Sequence, residues 1–81
     1  MAQNTITGNV TDGANGQPLV GANVTVKGTS QSTYAGLHGN FTIEVAELPV
    51  ELLFSFPGYQ TVELNVDTVA QPANVTLNPL G

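Results

Sequence analysis

The stretch from Ile6 to Thr29, ITGNVTDGANGQPLVGANVTVKGT, decides the fold. Apolar and polar residues alternate up to Val10, and the alternation resumes through Ala22, Val24 and Val26. Side chains of a strand point to opposite faces in turn, so a period of two predicts a strand on each side of the link. The link itself is turn chemistry. Asp12-Gly13 and Asn15-Gly16 tolerate positive φ, and further along Pro49 and Pro72 end strands because Pro cannot donate to a ladder.

The rest of the chain repeats this plan. The predicted strands are Thr5–Thr11, Gly21–Gly28, Ser32–Ala35, Asn40–Ala46, Val50–Phe56, Gln60–Val66 and Ala73–Asn78. Their inward sets are Ile6 and Val10; Ala22, Val24 and Val26; Phe41, Ile43 and Val45; Leu52, Phe54 and Phe56; Val62, Leu64 and Val66; and Val75 and Leu77. Pro57-Gly58 suits the centre of a type II turn, and Gly36 and Gly39 bracket another tight turn. No segment has a helical period. Seven short strands separated by turns predict an all-β sandwich of two antiparallel sheets, a single domain spanning residues 1–81.

Composition narrows the function. The chain has six acids, one base (Lys27) and no Arg, for a net charge of −5. Nucleic-acid binding requires Lys and Arg to displace phosphate counterions, so that class is excluded. An anionic membrane surface is disfavoured on the same ground. No apolar run approaches the roughly 20 residues of a spanning helix, so no direct membrane insertion by this segment is expected. The absence of Cys excludes a disulfide framework and a thiolate metal site. Met1-Ala2-Gln3 reads as an initiator joined to a mature start, which predicts an exported protein.

The opening stretch, together with GNFTIEV (Gly39–Val45), LLFSFPGYQTVELNV (Leu52–Val66) and NVTL (Asn74–Leu77), resembles the carboxypeptidase regulatory-like domains. The resemblance implies a seven-stranded, transthyretin-like sandwich without catalytic residues or a cofactor. One branch of that family supports metallocarboxypeptidases. Another precedes the plug and barrel of TonB-dependent outer-membrane receptors, and FSFPGY (Phe54–Tyr59) is closer to this second branch. The expectation is therefore a non-catalytic accessory or interaction module on the periplasmic face of an outer membrane. Its partner would be another protein or the remainder of a parent receptor. The alternatives are a folding-support domain of a metallocarboxypeptidase, or an extracellular structural repeat of a surface adhesin. The chain departs from the family where a Thr-Asp-x-x-Gly turn is common: it has Ala35-Gly36-Leu37-His38-Gly39, so no role of that Asp is carried over.

Single residues offer little chemistry. His38 is the sole imidazole and has no Asp or Glu within five residues on either side, so it reads as a solvated turn residue. A peptidase zinc needs several converging ligands, and one His does not supply them. Hydrolases of transthyretin type use several His and Arg together, and this chain has no Arg. Asp12 and Asn15 lack the alternating ligands and closing Glu of a calcium loop, and Asx turns account for both. Lys27 shares an outward face with Asn23 and Thr25, which reads as a solvated charge rather than an isopeptide partner. The Asn-x-Thr triplets at Asn9, Asn23, Asn40 and Asn74 are the same polar-out alternation around an inward Val or Phe. Tyr59 is expected at a sandwich corner with its hydroxyl on the backbone. A sugar-stacking platform is disfavoured by the absence of Trp and the presence of only two Tyr. That leaves Tyr34 and Leu37, in the weakest strand and the turn after it, as the candidate partner-binding patch.

Overall fold

The structure, a computed structural model, describes residues 4–80, so the predicted start at Met1-Ala2-Gln3 lies outside the described residues. Seven strands form: β1 (Asn4–Asp12), β2 (Asn23–Val26), β3 (Ser32–Tyr34), β4 (Asn40–Val45), β5 (Val50–Ser55), β6 (Val62–Val66) and β7 (Ala73–Leu77). They build two sheets, of order β4-β1-β7 and β3-β2-β5-β6. The expected all-β sandwich is present.

The alternating residues fill the space between the sheets. Ile6 and Val10 of β1, Phe41, Ile43 and Val45 of β4, and Val75 and Leu77 of β7 meet Val24 and Val26 of β2 and Leu52 and Phe54 of β5. Phe41 and Phe54 form the central contact between sheets, edge to face with centroids 5.4 Å apart. Leu19, from the first link, is also buried. The core thins toward β6, where Val62 and Leu64 are only half-buried.

Three differences from the sequence reading go beyond a shift of a residue or two at one strand end, or bear on the site. First, β1 and β7 run parallel, with Gly8 opposite Ala73 and Asp12 opposite Leu77, whereas every other pair is antiparallel. Alternation defines the faces of a strand but says nothing about the direction of its neighbour. Second, β2 is shorter than predicted. The Thr29 amide and hydroxyl both donate to the Val26 carbonyl, at 3.1 and 3.0 Å, and close the strand there. Third, β5 ends at Ser55 and Phe56 lies beyond it, half-buried, with its ring edge-on to Tyr59 at 5.5 Å. The Pro57-Gly58 turn begins at Phe56. Tyr59 donates its amide to the Phe56 carbonyl at 3.0 Å, and Gly58 takes a φ of 87°, as the third position of a type II turn requires. Leaving that turn, Gln60 donates to the Asn78 carbonyl at 2.8 Å, so β6 begins only at Val62.

Candidate functional site

Tyr34 closes β3 at the edge of its sheet, and Leu37 lies in the turn that carries the chain to the other sheet. That turn is short because Gly39 donates to the Gly36 carbonyl at 2.9 Å and Gly36 to the Asn40 carbonyl at 2.7 Å. It directs the residues between them to solvent. Tyr34 is 65% exposed and Leu37 80% exposed. His38, in the same turn, is exposed as well.

Two further residues join this end of the molecule. The Gly21 amide donates to the Ala35 carbonyl at 2.8 Å, which sets Val20, 48% exposed, alongside the Tyr34–Leu37 segment. Val20, Tyr34 and Leu37 are three of the five large apolar side chains exposed among the described residues. Phe56, displaced from its predicted strand, lines an open groove of about 520 Å³ with Tyr34, Asn23, Ser55, Pro57 and Gly21. The pairing of Asn23 with both Tyr34 and Ser55 explains the groove, since all three side chains stand in one row on the outer face. Val20 was not legible as part of the patch, because a single Val in a polar link carries no periodic signal. Phe56 had the opposite fault: it is in phase with Leu52 and Phe54, but the turn removes it from their face.

Asp12 and Tyr59 form a polar pair next to this region, with the Tyr59 ring edge-on to Phe56 of the groove. Asp12 is in phase with Ile6 and Val10, and it is buried. One of its carboxylate oxygens accepts the Ala14 amide at 2.7 Å, and the other accepts the Tyr59 hydroxyl. Asn15 makes a similar Asx turn, accepting the Gln17 amide at 2.9 Å. The expected turn chemistry is present. The expected backbone partner of Tyr59 is corrected to the Asp12 side chain, because a bridge between Tyr59 and Pro79 holds the ring over the end of β1. This hydrogen bond, with some desolvation, raises the Tyr59 hydroxyl above its ordinary 10.0.

Lys27 is more engaged than a solvated charge. Its Nζ reaches Glu51 at 3.3 Å and Glu63 at 3.4 Å across the outer face of β2, β5 and β6. The hydrogen bond to Glu51 comes first, followed by the charges of both carboxylates, and together they hold the ammonium above its ordinary 10.5. All three side chains are about half exposed, so the triad is a solvent-screened pairing. Among the described residues, no three His, Cys, Asp or Glu side chains gather as metal ligands.

The raised values of Tyr59 and Lys27 have a testable consequence. A folded-state pKa above the unfolded value means that the protonated group contributes stability below the unfolded pKa. That contribution is lost as pH rises through the folded value. Melting temperature is therefore expected to fall above about pH 10. Tyr59→Phe should be less stable than the parent at neutral pH and fall less steeply in that alkaline window. Lys27→Gln should separate the two contributions. Thermal melts between neutral pH and the alkaline limit measure this, and parallel curves for parent and Tyr59→Phe would refute it.

Residues 6–79 match the model of the CarboxypepD_reg-like domain. The TonB-dependent receptor SusC of Bacteroides thetaiotaomicron is 41% identical over 75 residues, covering 93% of this chain and 7% of the receptor. Two TonB-dependent receptors of Formosa agariphila are 38% and 32% identical over 61 and 65 residues. Those matches cover 75% and 80% of this chain and 6% of each receptor. The chain thus spans only 6–7% of the length of these relatives. The strand plan, the two-sheet sandwich and these matches agree: the chain belongs to the family of CarboxypepD_reg-like domains.

Proposed function

We propose that this chain is a non-catalytic accessory module of a TonB-dependent outer-membrane receptor. It is exported and held on the periplasmic face, where it docks to the rest of the receptor or to a protein partner. The observation that carries this reading is the set of receptors it matches over most of its own length but a small fraction of theirs. Those relatives favour the receptor over the metallocarboxypeptidase and the adhesin. The module acts by surface rather than by chemistry, with Tyr34 and Leu37 as its partner-facing residues.

The experiment is an in-frame deletion of the module from the parent receptor, scored for barrel assembly and for uptake. Assembly should persist and uptake should fall. Uptake equal to that of the intact receptor would refute the docking role. Tyr34→Ala combined with Leu37→Ala in the intact receptor should reproduce the loss. In the purified chain the same pair should leave the melting temperature nearly unchanged, since both side chains are largely exposed.

A further inference from the structure

The two sheets present four edges: β3, β4, β6 and β7. Three carry features that discourage a further strand. β6 bears Glu63 and runs into Asp67, and β7 is bracketed by Pro72 and Pro79. β4 carries Glu44, whose carbonyl accepts the Gln31 side-chain amide, while the Asn40 carbonyl accepts Gly36. Charges, prolines, covering groups and short length are the usual means of blocking edge-to-edge pairing, and of these the three-residue β3 has only the last. The edge of β3, from Gln31 to Ala35, has no charge and no proline.

Its hydrogen-bonding groups can be assigned by register. Val26 donates to the Gln31 carbonyl at 3.0 Å and Ala35 donates to the Ala22 carbonyl at 2.9 Å, so Gln31, Thr33 and Ala35 bond toward β2. Antiparallel pairing alternates, so the N–H and C=O groups of Ser32 and Tyr34 point away from the sheet. β3 is short, and a few backbone bonds do not hold a peptide by themselves. Side chains must supply the rest, and they differ at the two ends. The Tyr34 end has the exposed Tyr34, Leu37 and Val20 and the groove against Phe56. The Gln31 end has Glu47, which lines the same hollow as Gln31, while the Gln31 side-chain amide is taken by the backbone carbonyl of Glu44. Lys27, the sole base, is already paired with Glu51 and Glu63.

We infer that β3 accepts an extended peptide segment of a partner protein as an added antiparallel strand, apolar at its N-terminal end and basic at its C-terminal end. An antiparallel strand starts beside Tyr34 and finishes beside Gln31. Its first residues meet the apolar cluster and groove, and its last residues meet Glu47. Main-chain bonds to Ser32 and Tyr34 supply the pairing, and the two ends supply selectivity. The inference rests on the reading of the chain as a docking module and names the kind of partner that docks.

The test titrates the full chain with the end-capped peptide acetyl-Leu-Thr-Val-Thr-Val-Lys-Lys-amide, followed by amide NMR and hydrogen exchange. Ser32 and Tyr34 amides should gain protection, and resonances from Gln31 to Leu37 should shift. Methylating the backbone nitrogens that face β3 should weaken binding on the order of tenfold. Tyr34→Ala should cost a similar factor at an unchanged melting temperature. Glu47→Gln should weaken this peptide but not a version with both Lys replaced by Gln. Equal binding by the N-methylated peptide, protection on β6 or β7 instead, or no binding at millimolar peptide would each overturn the inference. So would concentration-dependent protection of β3 without peptide, which would make a second copy of the chain the occupant. These outcomes are separate from the deletion experiment. Failure of the peptide with a positive deletion result removes the edge and leaves the module; the reverse result removes the receptor role and leaves the edge.

Discussion

Gly8→Ala is expected to lower stability by about 3 kcal/mol or more, at the upper end of overpacking substitutions. Gly8 sits at an inward position of β1, between Phe41 of β4 and Ala73 of β7. A Cβ placed there would lie 1.8 Å from the Ala73 carbonyl oxygen and 2.8 Å from the Phe41 ring. The nearer atom is backbone, so no rotamer change relieves the overlap. Either β7 moves off β1 or the substitution is not accommodated. A domain of this length has roughly 4–12 kcal/mol in total, so the loss consumes a large share. Gly16→Ala is the control. Gly16 has a φ of 74° and nothing within 4 Å of the added carbon, so it should lose only the left-handed backbone term, about 1–2 kcal/mol. Denaturant unfolding of the two variants checks the ranking, and a Gly8→Ala loss no larger than that of Gly16→Ala would contradict it.

Phe54→Ala should cost about 3–5 kcal/mol, the range for removing a buried aromatic side chain. Phe54 is fully buried, and its ring is the contact of the second sheet with Phe41 of the first. Truncation leaves a cavity between the sheets, in a domain whose core is thin for its surface. The melting temperature should fall by roughly 12–40 °C, on the scaling for domains of this size. A fall of under about 5 °C would show that the two sheets close over the gap. The two substitutions meet at Phe41. Phe54→Ala opens space into which Phe41 can retreat from a methyl at position 8, but the Ala73 carbonyl stays in place. The pair should therefore be less than additive without cancelling.

The alternation of Ala22, Val24 and Val26, and of Phe41, Ile43 and Val45, predicted the buried faces because one face of each strand must leave water while the other stays in it. The Asx turns at Asp12 and Asn15 and the Pro57-Gly58 turn were legible because their chemistry is local. What escaped the sequence is non-local. Nothing near Tyr59 marks Asp12, 47 residues away, as its partner. Nothing near Lys27 marks Glu51 and Glu63. The phase of β1 did carry a clue, since Asp12 falls on the same face as Ile6 and Val10. A carboxylate at an inward position needs partners, and those partners are the Ala14 amide and the Tyr59 hydroxyl. Tyr34 and Leu37 are exposed, in and just after the short third strand. Val20 and Phe56 were legible only once the turns had been placed in space.

The parallel pairing of β1 with β7 has a mechanical consequence. The first strand enters at Asn4, beside Val45, and the last leaves at Leu77, beside Asp12, at the far end of the same ladder. Tension applied at Asn4 and at Leu77 pulls these neighbouring strands past each other along their length. The bonds joining Gly8–Asp12 to Ala73–Leu77 then carry the load together in shear, rather than opening one after another as in a peeled hairpin. A longer polypeptide pulling on both ends of this small sandwich would thus load it in shear rather than peel it open.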